Sequence, residues 1–401
     1  MSQLVYRYLI VGGGLAGASA IAGIREEDST GTICLLSSER DLPYDRPPLS
    51  KKLWTGDKQV KEIFLQDSTY YDENNVELKL GVVAIALDRE HKIVIDAAGK
   101  EYHYERLLLA TGGTPRRLTI PGHDLNDLCY FRSLPDYKSI RAKAIEGASA
   151  VIIGGGFIGS ELAAALRTNK LNVTMVFPED NICQKVIPQP LAKEIQSDYV
   201  RRGIVILNED LPIAILERNG RFLTHTKKGS EIRSDIVIAG IGIHPNMKLA
   251  AAAGLEVANG ISVNEYLQTT DPDIYAAGDN AYFPCKALEE KARFEHWDNA
   301  LNQGKHAGRN MAGAAEPYEY LSYFFSDLFD FGYEAVGDVS TKLKTSADWQ
   351  EVNRKGTIYY LEEDVIRGVM FCNLWDKVDE ARQWITNRTN IRDLSLKAAN
   401  R

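Results

Sequence analysis

At 401 residues the chain has room for two or three domains with full cores, and 44% hydrophobic and 25% charged residues are ordinary for a globular protein. A net charge of −8 with no opposing basic run argues against nucleic-acid binding, and no apolar stretch is long enough for an integral membrane segment. The five cysteines lie far apart without a C-x-x-C, which argues against a zinc site or a disulfide framework and for buried thiols in a reducing compartment.

The chain enters an apolar strand within a few residues of its start. That is read as the absence of a targeting peptide, and so as a cytoplasmic protein. Tyr8 to Val11 stops abruptly at Gly12-Gly13-Gly14-Leu15-Ala16-Gly17, and helix-forming residues follow to Ile24. Strand, tight turn and helix are the setting in which G-x-G-x-x-G binds a dinucleotide. Gly12 permits the turn, Gly14 lets a pyrophosphate approach the backbone, and Gly17 lets the helix pack on the strand. The helix start offers its free N–H groups to the phosphates. Thr32 to Leu36 reads as the next strand, running into Ser37, Ser38 and Glu39. An acid about 20 residues past the last glycine is placed to hold a ribose diol, so Glu39 is the candidate.

Leu42-Pro43-Tyr44-Asp45-Arg46-Pro47-Pro48-Leu49-Ser50-Lys51 follows, stiffened by its prolines, with Ser50 placed to cap a helix. With this segment the sequence resembles the ferredoxin-reductase and apoptosis-inducing-factor branch of the FAD/NAD-linked reductases. The resemblance implies that Arg46 binds the flavin nucleotide's phosphates and that Lys51 lies beside the isoalloxazine ring. It adds Ala84, within a β-rich excursion from Leu78 to Gly99, as a cofactor contact. Arg106 to Ala110 then runs into Thr111 and Gly112, an A-T-G element that closes the chain over FAD in that family, and Arg132 resembles a further flavin-contacting arginine.

The strand–glycine–helix pattern recurs one domain length later as Val151-Ile152-Ile153-Gly154-Gly155-Gly156-Phe157-Ile158-Gly159, followed by Ser160-Glu161. Two such units suggest two nucleotide cofactors exchanging electrons. The strand Val173 to Phe177 ends at Glu179, spaced to bind a ribose diol and to repel a 2′-phosphate, so NADH is preferred to NADPH. Lys185 tempers that preference. Phe157 is flat and apolar enough to stack near the nicotinamide, and Glu161 is read as lying in the first turn of its helix. By resemblance Glu161 pairs with Lys51 beside flavin N5, bridging the two nucleotide domains, and Gly242 abuts NAD.

Asp273 to Gly278 delivers Asp279 as the second FAD marker, and Glu295, His296 and Trp297 open a helix at cofactor-contacting positions of the family. From Tyr318 the composition turns aromatic and β-prone, with alternating strands to Cys372 and a helix from Asp376 to Ile385. The resemblance places Phe325 against the flavin, Glu334 at the nicotinamide carboxamide, and Asn373 near NAD.

The expected fold is α/β: two Rossmann-like dinucleotide-binding domains, the NAD domain (119–245) inserted in the FAD domain (1–118 and 246–317), and a C-terminal α+β domain (318–401) with an antiparallel sheet. The expected cofactors are FAD and NAD. The implied activity is hydride transfer from NADH to flavin N5, then electron transfer to a ferredoxin-like protein, a quinone or another small acceptor, with no cysteine relay. The alternative is a slowly turning, redox-responsive binding protein whose reduced-flavin–NAD complex controls homodimer formation or partner binding.

Overall fold

Residues Tyr8 to Val11 are apolar without alternation, and such a strand must be covered on both faces. The computed structural model, which describes residues 5–394, places Val5–Val11 at the centre of a sheet, in parallel between Ile33–Ser37 and Glu101–Leu109. All four residues from Tyr8 to Val11 are buried. Val76–Leu80 extends the sheet in parallel beyond Ile33–Ser37. The excursion Ala84–Asp88 and Ile93–Asp96 adds antiparallel strands to the first half of Glu101–Leu109. Ile274–Ala276, far along the chain, returns in parallel to the last residues of that same strand.

Helices Leu15–Glu27 and Trp297–Met311 cross at glycines. A Cβ on Gly304 would stand 2.2 Å from the Ala16 carbonyl oxygen, and one on Gly308 2.1 Å from that of Ala20. Among the described residues these elements form one compact unit, made of the chain up to Asp45, Lys61–Thr114 and Pro245–Phe324.

Among the described residues the second unit comprises Arg46–Val60, Pro115–His244 and the chain from Phe325 onward. Its five-stranded parallel sheet runs Val205–Leu207, Asn172–Val176, Ser149–Ile153, Ile236–Ala239, Cys129–Tyr130. A three-stranded meander, Pro212–Arg218, Arg221–Thr226 and Glu231–Ser234, packs Ile215 and Phe222 against Val151, Ile153 and Val237 of that sheet. The same unit, from Phe325 on, carries the C-terminal antiparallel sheet, whose strands run in the order Tyr323–Leu328, Phe331–Gly337, Val365–Cys372, Lys355–Glu362, Lys344–Glu351.

Three local expectations shift. The helix expected from Asp376 is Val378–Thr386, because Asp376 is left-handed (φ 62°) and cannot be helical. The second cradle's helix opens at Phe157, so Glu161 stands in its second turn rather than its first. Ser50 does not cap the helix Lys52–Thr55; Lys51 is the N-cap residue there, and the Ser50 hydroxyl is used elsewhere.

Among the described residues no helix is long and apolar enough to cross a membrane, and no group of His, Cys, Asp and Glu is arranged to hold a metal ion. The five cysteines are free thiols. Burial pushes Cys34, Cys129, Cys183 and Cys372 up to about 12, so these four are unreactive thiols near neutral pH.

Candidate functional site

In the first unit the glycine turn is shaped by contacts that only glycine allows. Gly12 has φ +130°, and a Cβ on it would overlap the Ala110 carbonyl oxygen at 2.0 Å. Gly13 lies on the Ser37 hydroxyl, and Gly17 on the Gly12 carbonyl oxygen. Gly14 faces open space, with nothing within 4 Å of its Cβ position. It is also the N-cap of Leu15–Glu27, and no side chain caps that helix. An open, uncapped helix start behind a tight glycine turn is a cradle that fits a diphosphate.

Around the cradle the carboxylate of Glu39 accepts from the Tyr44 hydroxyl, while Ser38 is exposed. Ala84 is half-buried at the start of its strand, opposite Asp96. The A-T-G segment is fixed by two buried or half-buried asparagines that sequence reasoning missed. Asn246 Nδ2 donates to the Thr111 carbonyl at 2.8 Å, and Asn280 Nδ2 donates to the Leu109 carbonyl at 3.0 Å and to Thr111 Oγ1 at 2.9 Å. Gly112 is left-handed (φ 61°) as the strand leaves the sheet. Asp279 and Glu295 are joined through Arg293, whose Nη1 donates to the Asp279 carbonyl at 2.9 Å and to Glu295 Oε1 at 2.7 Å. Trp297 Nε1 donates to Asp45 Oδ1 at 2.8 Å.

His296 lies between the rings of Phe294 and Phe324, at centroid distances of 5.5 and 4.5 Å. Burial holds its pKa down at about 4 against the opposing charge of Asp279, so the ring is neutral, and its buried Nδ1 has no hydrogen-bond partner. An orphaned buried nitrogen in this unit is a further point of fit for a polar ligand.

The second unit repeats the cradle. Gly154 has φ +116° and would meet the Gly240 carbonyl oxygen at 2.4 Å, Gly155 rests on the Phe177 ring, and Gly159 rests on the Gly154 carbonyl oxygen. Gly156 is open and is the N-cap of Phe157–Thr168, again without a side-chain cap. Phe157 is half-exposed and Ile158 is 39% exposed at the helix start. Glu179 pairs with the far more exposed Lys185 at 3.2 Å.

The loop that carries Lys185 is tied down on three sides. Cys183 N–H donates to the Gly155 carbonyl at 2.7 Å, Thr341 Oγ1 donates to the Gln184 carbonyl at 2.9 Å, and the Tyr360 hydroxyl donates to the Val186 carbonyl. Gly242 is left-handed (φ 94°) beside the Arg116 guanidinium. Glu334 Oε2 is buried with no hydrogen-bond partner, and burial, then Asp376, pushes its carboxyl pKa up. Asn373, also left-handed, spends its side chain on the backbone: Oδ1 accepts from Gly332 N–H at 2.8 Å and Nδ2 donates to the Arg354 carbonyl at 3.1 Å.

Lys51 and Glu161 meet in this unit, with Lys51 Nζ 3.1 Å from Glu161 Oε1. Both side chains are largely buried, at 11% and 7% exposure. The carboxylate also accepts from Ser50 Oγ through Oε2 and from Ser326 Oγ through Oε1, each at 2.6 Å. The ammonium lies 4.3 Å from the centroid of the Phe325 ring and 3.5 Å from Asp327 Oδ2. Nearby, Arg46 Nη1 donates to the Arg132 carbonyl at 2.9 Å, which joins the two arginines singled out in the sequence. Ser50 was marked only as a cap, and Ser326 and Asp327 had no motif to mark them. Their only sequence signal was adjacency to Lys51 and Phe325.

The model of the pyridine nucleotide-disulphide oxidoreductase family matches residues 6–304, and that of the apoptosis-inducing factor C-terminal region matches residues 307–355. The chain is 32% identical to apoptosis-inducing factor 1, mitochondrial, of Dictyostelium discoideum, over 97% of this chain and 80% of that protein. It is 35% identical to rubredoxin-NAD(+) reductase of Pseudomonas putida, over 82% of this chain and 86% of that one. Among solved structures, the covalent putidaredoxin reductase–putidaredoxin complex matches with a TM-score of 0.90 at 31% identity, covering 96% of this chain and 93% of that chain.

Proposed function

This chain belongs to the pyridine nucleotide-disulphide oxidoreductase family, and on that premise we propose that its two cradles serve one electron-transfer reaction. The protein is an FAD-dependent NADH oxidoreductase that passes electrons to a ferredoxin-like protein. The observation that carries the reading is the pair of uncapped helix starts, each behind a glycine turn with one open position, Gly14 and Gly156. FAD supplies the chemistry by accepting a hydride from NADH and releasing electrons onward.

The residues divide the work as follows. Gly12 to Gly17 and the helix start behind them hold the FAD pyrophosphate, with Ser38 and Glu39 at the ribose. Ala84, Ala110, Thr111, Gly112, Asp279, Glu295, His296 and Trp297 line the rest of the FAD site, and Arg46 and Arg132 serve the flavin nucleotide. His296, neutral and stacked between aromatic rings, offers one unpartnered ring nitrogen to the flavin. Gly155, Gly156, Phe157 and Ile158 receive NADH, Glu179 and Lys185 its adenosine ribose, and Gly242, Glu334 and Asn373 the nicotinamide end. The unpartnered Glu334 oxygen suits a carboxamide donor, whereas Asn373 acts by holding the backbone on which Glu334's strand turns. Lys51 stands beside flavin N5, oriented by Glu161, with Phe325 as the flat wall of the same site. A cation there favours negative charge on the ring.

On this account residues 1–118 and 246–317 form the FAD domain, 119–245 the NAD domain and 318–401 the C-terminal domain. The acceptor is a ferredoxin-like protein; a quinone or another small molecule is the alternative. The test is a panel of ferredoxins, rubredoxins and quinones offered to the NADH-reduced protein. Turnover above ~1 s⁻¹ with a ferredoxin-like acceptor supports the reading, because enzymes of ordinary efficiency work at roughly 1–10³ s⁻¹. Slow turnover with every acceptor, with a long-lived reduced complex that alters homodimer formation or partner binding, favours a redox-responsive binding role instead.

A further inference from the structure

Lys51 has two carboxylates, not one. In the strand Tyr323–Leu328 successive side chains point to opposite faces, and the burial follows that rule: Phe325 is half-exposed, Ser326 buried and Asp327 exposed. Ser326 therefore faces inward to Glu161, while Phe325 and Asp327, two residues apart, share the face on which the Lys51 ammonium rests. The cation is held between a buried carboxylate at 3.1 Å and a carboxylate at 3.5 Å whose side chain is 53% exposed. One positive and two negative charges leave the cluster at −1.

We infer that Asp327 is a positioning residue and counter-charge for Lys51, and that it lowers the reduction potential of the bound flavin by offsetting the field of the ammonium. The inference rests on the reading of Lys51 as the flavin's neighbour. It follows from the sign of the charges. Removing the Asp327 charge unmasks a cation that favours the reduced, negatively charged flavin. Removing the Lys51 charge leaves the carboxylates without their cation. The two substitutions must shift the potential in opposite directions, which a loss of packing at a common site would not do. Because Asp327 faces solvent, its share of the effect is screened by salt, whereas the buried Glu161 is screened much less.

The experiment is a spectroelectrochemical titration of the FAD-loaded full chain, comparing wild type with Asp327→Asn, Asp327→Glu and Lys51→Met, each at ionic strengths of ~0.05 M and ~1 M. The inference predicts a more positive potential for Asp327→Asn, a more negative one for Lys51→Met, and a return toward wild type for Asp327→Glu. It also predicts that the Asp327→Asn shift shrinks at high salt. No shift in Lys51→Met would overturn the placement of Lys51 beside the flavin, and the inference with it. A negative shift in Lys51→Met with an unchanged or negative one in Asp327→Asn would overturn the role of Asp327 alone. A positive Asp327→Asn shift that persists undiminished at high salt would also overturn it, since a solvent-facing charge must respond to screening.

Discussion

The Ser50 hydroxyl donates to Glu161 Oε2 at 2.6 Å, although 111 residues of chain separate the two. Ser326 donates to the other oxygen from 165 residues away. A buried carboxylate is thus gripped by three segments: the Ser50–Lys51 turn, the helix Phe157–Thr168 that carries it, and the first strand of the C-terminal sheet. Each hydroxyl bonds a charged group out of water, so losing either leaves Glu161 short of a donor it cannot replace from solvent.

Ser326→Ala is expected to lower stability by about 1–3 kcal/mol, the usual cost of an unsatisfied buried polar group. Glu161→Gln is expected to cost more, on the order of 3–5 kcal/mol, because it takes the buried carboxylate from the largely buried Lys51 and leaves it only the exposed Asp327. Thermal unfolding of the three proteins at one pH checks the ranking. A Glu161→Gln protein as stable as wild type would show that the pair bears no structural load.

Gly17→Ala tests the first cradle. A Cβ there would stand 1.9 Å from the Gly12 carbonyl oxygen, so the turn must open or the helix must move away. Overpacking of that kind costs about 1–3 kcal/mol, and here it also distorts the FAD seat. The expected result is a protein that folds with reduced FAD content after gel filtration. Gly14→Ala, with nothing within 4 Å of its Cβ position, should keep wild-type stability in the FAD-free protein and lose FAD affinity all the same.

Burial has a pH consequence at His296. Its pKa falls from 6.5 to about 4, so the unfolded chain takes up a proton that the folded one refuses between those values. Stability contributed by the neutral ring is therefore whole above pH 6.5 and declines as the pH drops toward 4. His296→Phe should flatten that part of the stability profile. An NMR titration should find the ring still neutral at pH 5, and a midpoint near 6.5 would refute the enclosed, neutral histidine.

Cofactor preference turns on Glu179 and Lys185, which neutralise one another at 3.2 Å. With Lys185 the more exposed partner, Glu179 is expected to dominate and NADH to be the better donor. Glu179→Ala should shift the ratio of kcat/KM values toward NADPH by roughly tenfold, or about 1.4 kcal/mol. An unchanged ratio would remove Glu179 from the ribose site.

Both cradles were legible in the sequence because their logic is local: the apolar run, the glycines and the helix lie within a few residues of one another. The pair Lys51–Glu161 was legible only through family resemblance, since nothing near either residue names the other. Ser50 was legible only as a helix cap, a role it does not fill, and Ser326 and Asp327 not at all. A serine has the same local sequence whether its hydroxyl meets solvent or a buried carboxylate 111 or 165 residues away, and an aspartate the same whether or not a lysine rests on it. The left-handed Asp376, which delays the last helix, was hidden for a related reason: aspartate is favoured both as a helix N-cap and in turns.

On the proposed reading, electrons pass from NADH to FAD with no thiol in the path. An anaerobic titration with NADH, followed by flavin absorbance, tests it most directly when run on untreated protein and on protein whose accessible thiols have been alkylated. The expected result is a yellow protein, bleached to the same end point by about one equivalent of NADH per FAD in both samples, with no added thiol. A colourless protein that stays apo when FAD is added, or bleaching that alkylation abolishes, would contradict it.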